Sequence, residues 1–122
     1  RFSAVTFNAA AYVMLLASTS GSVESYGGFA IAGGASHFFR ALDGGQVGVS
    51  GGAMTLSGTP AFAAFAFSER GGRATIAPSS ISGTATGSRY SVTTGGGVYT
   101  GGGETYLPGS SAGSVATPGW YA

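Results

Sequence analysis

The sequence contains no cysteine, no lysine and only one histidine, His37. Without cysteine the chain can form neither a disulfide framework nor a thiolate metal site, so non-covalent contacts alone must hold the fold. Without lysine it lacks the residue that a Walker-type phosphate loop requires. These absences exclude several common classes of small extracellular, metal-binding and nucleotide-binding domains.

Charge is also scarce. Five arginines and four acids make up 7% of the 122 residues, whereas an ordinary soluble domain carries about 25%. A hydrophobic fraction of 43% with 12% aromatic residues favours an ordered chain over a disordered one. A surface with so little charge promotes association. We therefore expect burial in an assembly, with the chain itself as partner in a homotrimer or another homo-oligomer.

The five arginines are scattered, apart from Arg70 and Arg73, and the net charge is +1. Nucleic-acid binding needs a basic cluster or stripe, so we predict no nucleic-acid partner. The most hydrophobic run, residues 9–18, is about half as long as the roughly 20 residues of a membrane span. It predicts a buried strand or short helix and no membrane span. Its residues Val13, Met14, Leu15 and Leu16 are the candidate N-terminal docking residues.

Paired glycines punctuate the chain and mark an internal repeat. Segments 44–58 (GGQVGVSGGAMTLSG) and 95–109 (GGGVYTGGGETYLPG) match without a gap at an offset of 51, which places Val47 on Val98 and Leu56 on Leu107. A third copy, 71–83 (GGRATIAPSSISG), has Pro78-Ser79 near the position of the inner glycine pair.

Apolar residues alternate with small or polar ones between the glycines, which predicts strands. Paired glycines supply the positive φ angles of tight hairpin turns. The fold class is therefore all-β, with short strands joined by glycine turns. We expect either a β-sandwich or an intertwined trimeric β-structure. The single domain, 1–122, divides into a hydrophobic docking segment (1–20), repeated glycine-turn hairpin units (27–109) and a C-terminal tail (110–122).

Catalytic residue types are few. His37 stands beside two aromatic residues, which is typical of a packed histidine. The four acids are dispersed, and only Asp43 and Glu69 hold equivalent places, each before a glycine turn. A carboxylate pair could hydrolyse glycosides, but these positions favour turn tips. We predict no enzyme, no catalytic residue, no metal site and no cofactor.

Aromatic residues concentrate in the last third of the chain. Tyrosine and tryptophan are amphipathic and are enriched at binding surfaces. They are also suited to a packed fibre core or tail clamp. The candidate interface or receptor-binding residues are Tyr90, Tyr99, Tyr106, Trp120 and Tyr121.

Residues 89–122 (RYSVTTGGGVYTGGGETYLPGSSAGSVATPGWYA) resemble glycine-rich C-terminal segments of tailed-bacteriophage virion proteins, and residues 68–87 fit the same pattern. The matching positions are Tyr106, Pro108, Gly109, Ala112, Gly113, Gly119 and Tyr121. The resemblance implies a structural protein on the virion surface, either a tail fibre or spike subunit or a capsid decoration subunit. Its partners would be other virion proteins and a host receptor or glycan.

Two alternatives share the same sequence features. One is a secreted bacterial filament or adhesin subunit, located outside the cell or on its surface. The other is a stand-alone carbohydrate-binding module, which would use Tyr106 or Trp120 to hold a glycan.

Overall fold

The computed structural model of the protein describes residues 5–8, 13–26 and 28–122, and in these ranges the regular structure consists of strands alone, which confirms the all-β class. Sheet 1 contains β1 (Val5–Phe7), β4 (Phe29–Ile31), β7 (Ala53–Leu56) and β10 (Ser80–Ser82). Sheet 2 contains β2 (Val13–Ala17), β5 (Ala35–Leu42), β8 (Ala61–Glu69), β11 (Thr86–Val92) and β13 (Ser114–Val115). Sheet 3 contains β3 (Ser22–Tyr26), β6 (Gln46–Ser50), β9 (Arg73–Ala77), β12 (Gly97–Tyr99) and β14 (Trp120–Tyr121).

Every strand pair is parallel, and consecutive strands of the chain belong to different sheets. Up to β12 the chain visits sheets 1, 2 and 3 in turn and returns each time to sheet 1 one strand further along. After β12 it passes directly to β13 in sheet 2 and β14 in sheet 3. Ser22 pairs with Gln46, Gln46 with Arg73 and Arg73 with Gly97, so the coils are nearly equal in length and the middle one is slightly the longest. The fold is therefore a parallel β-solenoid of about four turns.

The prediction of a β-sandwich was wrong. Both folds have short alternating strands and glycine turns, but here each turn leads into a neighbouring sheet instead of reversing the chain into a hairpin. The sheets are also built from strands of one chain, in place of the intertwined strands of three chains. The internal repeat corresponds to the coils: Val47 pairs with Ala74 and Ala74 with Val98, so the offset of 51 is two coils.

Five turns connect sheet 2 to sheet 3, and the four that precede β3, β6, β9 and β12 share one conformation and stack along the solenoid. In each, an amide bonds back to the carbonyl three residues earlier, as from Gly45 to Leu42 at 2.7 Å. Both central residues have positive φ, the property of a type I′ turn. These central pairs are Thr19-Ser20, Asp43-Gly44, Arg70-Gly71 and Thr94-Gly95. The first glycine of a doublet thus occupies a position that requires positive φ.

The second glycine of the doublet occupies a position that has no room for a side chain. A Cβ atom added at Gly72 would overlap the backbone of Ala41 in the preceding coil. Gly45 and Gly96 face the same obstacle one coil before and one coil after. The Gly-Gly repeat seen in the sequence therefore combines two separate requirements in adjacent residues.

The core fills the interior enclosed by the three sheets. Its centre is a group of phenylalanines from adjacent coils, in which the Phe38 ring stacks on Phe65 at 5.4 Å and on Phe29 at 5.7 Å. Phe39 meets Phe38 and Phe65 edge to face. Ser68 is also buried, and its hydroxyl donates to the Gly72 carbonyl at 2.6 Å and accepts from the Gly97 amide at 3.1 Å.

The hydrophobic N-terminal run contributes β2 to sheet 2. Leu15 pairs with Phe39 and is buried in the core, whereas the next residue, Leu16, is 48% exposed. The side chains of Val13 and Met14, and residues 9–12 of the run, lie outside the described residues. The docking role of this segment stays a prediction. In the part of the chain that the structure describes, no helix is long and apolar enough to span a membrane.

Most of the difference in coil length arises at one corner. Ile31 pairs with Leu56 in sheet 1 and Ala35 with Phe62 in sheet 2, so the interval between partners is longer in sheet 2 than in sheet 1. The added residues enter between β7 and β8, where Ser57, Gly58 and Thr59 are exposed. This corner absorbs a change in chain length without disturbing the register of sheet 3.

We expect Gly72→Ala to lower the free energy of unfolding by about 2 kcal/mol, because the new methyl group must displace the Ala41 backbone. Urea unfolding followed by circular dichroism measures this. Gly103→Ala is the control, since a Cβ there meets nothing within 4 Å and should change stability by less than about 0.5 kcal/mol. Equal effects of the two substitutions would contradict the close-approach explanation.

Candidate functional site

The outward side of sheet 3 carries an unusual concentration of aromatic and polar side chains. Alternation along each strand places Val47, Ala74 and Val98 in the core, so their neighbours point to solvent. Three rows of outward positions cross the coils. They are Ser22–Gln46–Arg73–Gly97–Trp120, Glu24–Gly48–Thr75–Tyr99 and Tyr26–Ser50–Ala77.

Three large aromatic side chains are exposed on this side: Tyr26 at 38%, Tyr99 at 48% and Trp120 at 39%. We call this surface the aromatic face, defined by these three residues together with Glu24, Gln46, Gly48, Arg73 and Thr75. The sheet beneath has its backbone groups paired between coils, so the side chains are the groups available to a ligand. Exposed aromatic rings on one surface mark a candidate binding site.

Trp120 lies against Gly97, its partner in the preceding coil. A Cβ at Gly97 would overlap the indole ring, so glycine lets the ring approach the sheet. The Arg73 guanidinium lies 5.9 Å from the centre of the same ring, within cation–π distance. Glycine below and arginine beside it position the indole, which leaves part of the ring exposed.

Tyr26 is held at the other end of the aromatic face. Its hydroxyl donates a hydrogen bond of 2.8 Å to the carboxylate of Glu24, which stands two positions earlier on the same strand. The bond orients the phenol and leaves the carboxylate with further acceptor capacity.

A groove of about 220 Å³ opens between these ends, where Gly48 has no side chain between Glu24 and Thr75. We call it the Gly48 notch. Its outward polar lining comes from Glu24, Tyr26, Gln46, Ser50 and Thr75. These groups include hydrogen-bond donors and acceptors, so the notch suits a compact polar ligand.

The remaining aromatic candidates point inward and form a second cluster, the C-terminal clasp, made by Tyr90, Glu104, Tyr106, Gly113 and Tyr121. The Tyr121 ring stacks on Tyr90 with centroids 3.9 Å apart. The Tyr90 hydroxyl donates to the Glu104 carboxylate, which also accepts from the Gly113 amide at 2.7 Å. The clasp folds residues 100–122 over the last complete coil.

Further contacts fix the clasp to its surroundings. The Tyr121 hydroxyl lies 3.1 Å from Thr100 Oγ1 and donates to the Gly103 carbonyl at 3.1 Å. The Tyr106 hydroxyl donates to the Pro78 carbonyl at 3.5 Å. Burial raises the pKa of Tyr90 to about 12, with the adjacent Glu104 carboxylate contributing, while the bond from Tyr90 lowers the pKa of Glu104.

The five aromatic residues predicted as interface or receptor contacts thus divide into two groups. Tyr99 and Trp120 lie on the aromatic face, whereas Tyr90, Tyr106 and Tyr121 pack in the clasp. Sequence reasoning missed Tyr26 and Gly48. The sequence held a signal for both residues. Tyr26 lies one coil before Ser50 and Glu24 one coil before Gly48, so the repeat places all four on the same side of one sheet.

The pair Asp43 and Glu69, considered as hydrolytic carboxylates, meets at Arg70 in the column of turns. Arg70 bonds Asp43 at 2.5 and 3.2 Å and Glu69 at 2.7 Å. The hydrogen bond from Arg70 lowers the pKa of Asp43, the opposite of what a general acid needs. These contacts support the interpretation of both residues as turn-tip groups.

His37 packs at a ring distance of 4.7 Å from Phe67 on sheet 2, and its Nδ1 lies 3.2 Å from Ser36 Oγ. Burial and the nearby charge of Arg40 lower its pKa. Within the described ranges, His, Asp and Glu form no group of three or more that could hold a metal ion.

Comparisons with protein-family models, curated proteins and solved structures gave no match to this chain. The candidate site is therefore defined by its own geometry.

The raised pKa of Tyr90 predicts a loss of stability at alkaline pH. Since an unfolded tyrosine titrates near 10 and the folded one at about 12, the stabilisation is complete below pH 10 and disappears as pH rises towards 12. Chemical unfolding measured between pH 8 and 12 checks this. Tyr90→Phe, which keeps the stacked ring, should lose less stability over this interval; an identical pH profile would contradict the assignment.

Proposed function

We propose that this chain is a rigid β-solenoid module of a fibre or spike on the virion surface of a tailed phage, where it attaches to a glycan of the host surface through the aromatic face. The observation that carries the proposal is the presence of Tyr26, Tyr99 and Trp120, exposed on one side of one sheet among polar side chains. The proposed role is binding and not catalysis.

The chemistry of a sugar matches this surface. A pyranose ring has an apolar face of C–H groups that stacks on an aromatic ring, and a rim of hydroxyl groups that both donate and accept hydrogen bonds. Tyrosine and tryptophan offer the apolar face together with a polar tip. Gln46 and Thr75 offer the polar partners between the rings.

The scaffold supports attachment because the contact residues lie on strands. Side chains on a hydrogen-bonded sheet are held more accurately than those on loops. Each row of the aromatic face is fixed by pairing between successive coils. The ligand therefore meets groups that need little ordering when it binds.

The virion context follows from the C-terminal resemblance, and the clasp gives its motif residues a physical role. Tyr106 and Tyr121 pack in the clasp, Gly113 lies against the Tyr90 ring, and Gly119 lies against Val92. A motif that packs against the coils of a solenoid in this way suits a fibre or spike. The bacterial filament or adhesin subunit remains the competing proposal. A gene neighbourhood of capsid, portal and tail genes favours the virion.

We expect Trp120→Ala to weaken glycan binding by about 10- to 100-fold, because truncating a central aromatic contact commonly costs about 2 kcal/mol or more and each 1.4 kcal/mol is tenfold. A glycan array identifies the ligand, and isothermal titration calorimetry gives the affinity. The matched control is Leu16→Ala, which removes an exposed apolar side chain from sheet 2. Equal losses in both variants, or unchanged affinity in Trp120→Ala, would refute the role of the aromatic face.

The low charge of the chain predicts self-association. We expect light scattering of the purified protein to give a multiple of the 11.9 kDa chain mass, three times that value for the homotrimer. A stable monomer over a wide concentration range would contradict this prediction and favour a module that assembles only on its particle.

A further inference from the structure

The Gly48 notch and Trp120 lie on one diagonal of the aromatic face. Gly48 belongs to β6, and β9 and β12 separate it from β14, which carries Trp120. Neighbouring strands are about 4.8 Å apart, and the indole lies over Gly97 of β12, two strands beyond β6, so the notch and the ring are separated by roughly 10 Å along the solenoid axis.

We propose that this diagonal binds one extended, neutral, β-linked polysaccharide that runs obliquely across the coils, with one sugar seated in the Gly48 notch and another stacked on Trp120. The inference rests on the proposed function and adds the class, orientation and length of the glycan. The pairing that fixes the strand spacing also fixes the spacing of the subsites.

The size of the notch favours a single sugar ring. Its volume of about 220 Å³ is several times the roughly 30 Å³ of one water molecule, which leaves room for a ligand of the size of a sugar ring. Glu24 stands on one side of it and Thr75 on the other, while Gln46 and Ser50 flank it along β6. A ring seated there meets acceptors and donors on several sides, as its hydroxyl groups require.

The charge of the surface selects a neutral chain. Glu24 is the carboxylate of the notch lining, and a negative sugar would be repelled there. Arg73 lies in the neighbouring row, beside Trp120, where it supports the indole. Neutral hexoses and N-acetylhexosamines avoid the repulsion and can still donate hydroxyl or amide protons to Glu24.

The periodicity of the surface selects an extended chain. Consecutive sugars of an extended β-linked polymer advance by nearly one strand spacing, so each sugar lies over one coil. Three consecutive sugars then reach from the Gly48 notch, over Thr75, to the Trp120 indole where it lies over Gly97. Tyr99 leans away from this path, since its hydroxyl is the closest atom to the Cβ position of Gly101 at the following turn.

The notch can be filled without disturbing the fold. A Cβ added at Gly48 meets only the Glu24 side chain, at an ordinary contact distance of 3.7 Å, and Gly48 does not have positive φ. Gly48→Thr should therefore fold with an unchanged or higher unfolding midpoint, because threonine suits a strand better than glycine. Ala63→Thr is the matched control, since it adds a threonine to an exposed position of β8 on a different sheet.

The experiment titrates both variants and the unaltered chain with cello- and chito-oligosaccharides of one to six sugars, and with β-1,4-linked mannuronate oligomers as the anionic comparison. Trp120 is the only tryptophan, so its fluorescence reports occupancy of its subsite alongside calorimetry. We expect affinity to rise up to three sugars and then level off, with a tenfold or greater loss in Gly48→Thr and none in Ala63→Thr.

The outcomes separate this inference from the function on which it rests. Glycan binding that is unaffected by Gly48→Thr, independent of chain length or stronger for the mannuronate oligomers would overturn the two linked subsites but leave a glycan-binding aromatic face. Absence of binding to both neutral series overturns the inference, and absence of binding to any glycan on the array overturns the proposed function as well.

Discussion

The backbone hydrogen bonds between successive coils are the constraint from which the rest of this structure follows. They hold each strand at a fixed distance from its counterparts in the previous and next coils, so every coil must return to the same position after three sheets. The turns must therefore superimpose as well. At the sheet 2 to sheet 3 corner this leaves no room for a Cβ at Gly45, Gly72 or Gly96. A large share of glycine in the chain is thus a consequence of stacking.

The hydrogen-bonded pairing between coils also arranges the aromatic face. Because the rows run straight across the coils, residues far apart in sequence, such as Tyr26 and Trp120, share one flat side of the molecule. Glycines, which have no side chain, shape this surface as much as the aromatic residues do. Gly97 gives the indole a place to lie and Gly48 opens a groove in an otherwise continuous sheet. A glycine has the same effect in the clasp, where Gly113 leaves space for the Tyr90 ring.

Much of the local structure could be predicted from the sequence. The all-β class, the glycine turns and the repeat at an offset of 51 are all present in the structure. The solenoid architecture could not be predicted, because alternation and positive-φ turns are equally compatible with a hairpin and with a solenoid coil. Only the long-range pairing of strands distinguishes the two. For the same reason, the sequence could not divide the five aromatic candidates into exposed and packed groups. Trp120 and Tyr121 are adjacent, and only the pairing of β14 with β12 turns one outward and the other inward.

The corner between β7 and β8 gives this architecture a route to variation. Each coil contacts mainly its two neighbours, so a change in one corner is not transmitted through the molecule. The longer connection from Ser57 to Pro60 leaves the pairing of Gln46 with Arg73 intact. Longer insertions at this exposed edge cost little loop entropy. The corner can therefore change in length while sheet 3, on the opposite side, keeps the spacing of its exposed side chains, so that surface variability and the proposed recognition surface are confined to separate sides of the solenoid.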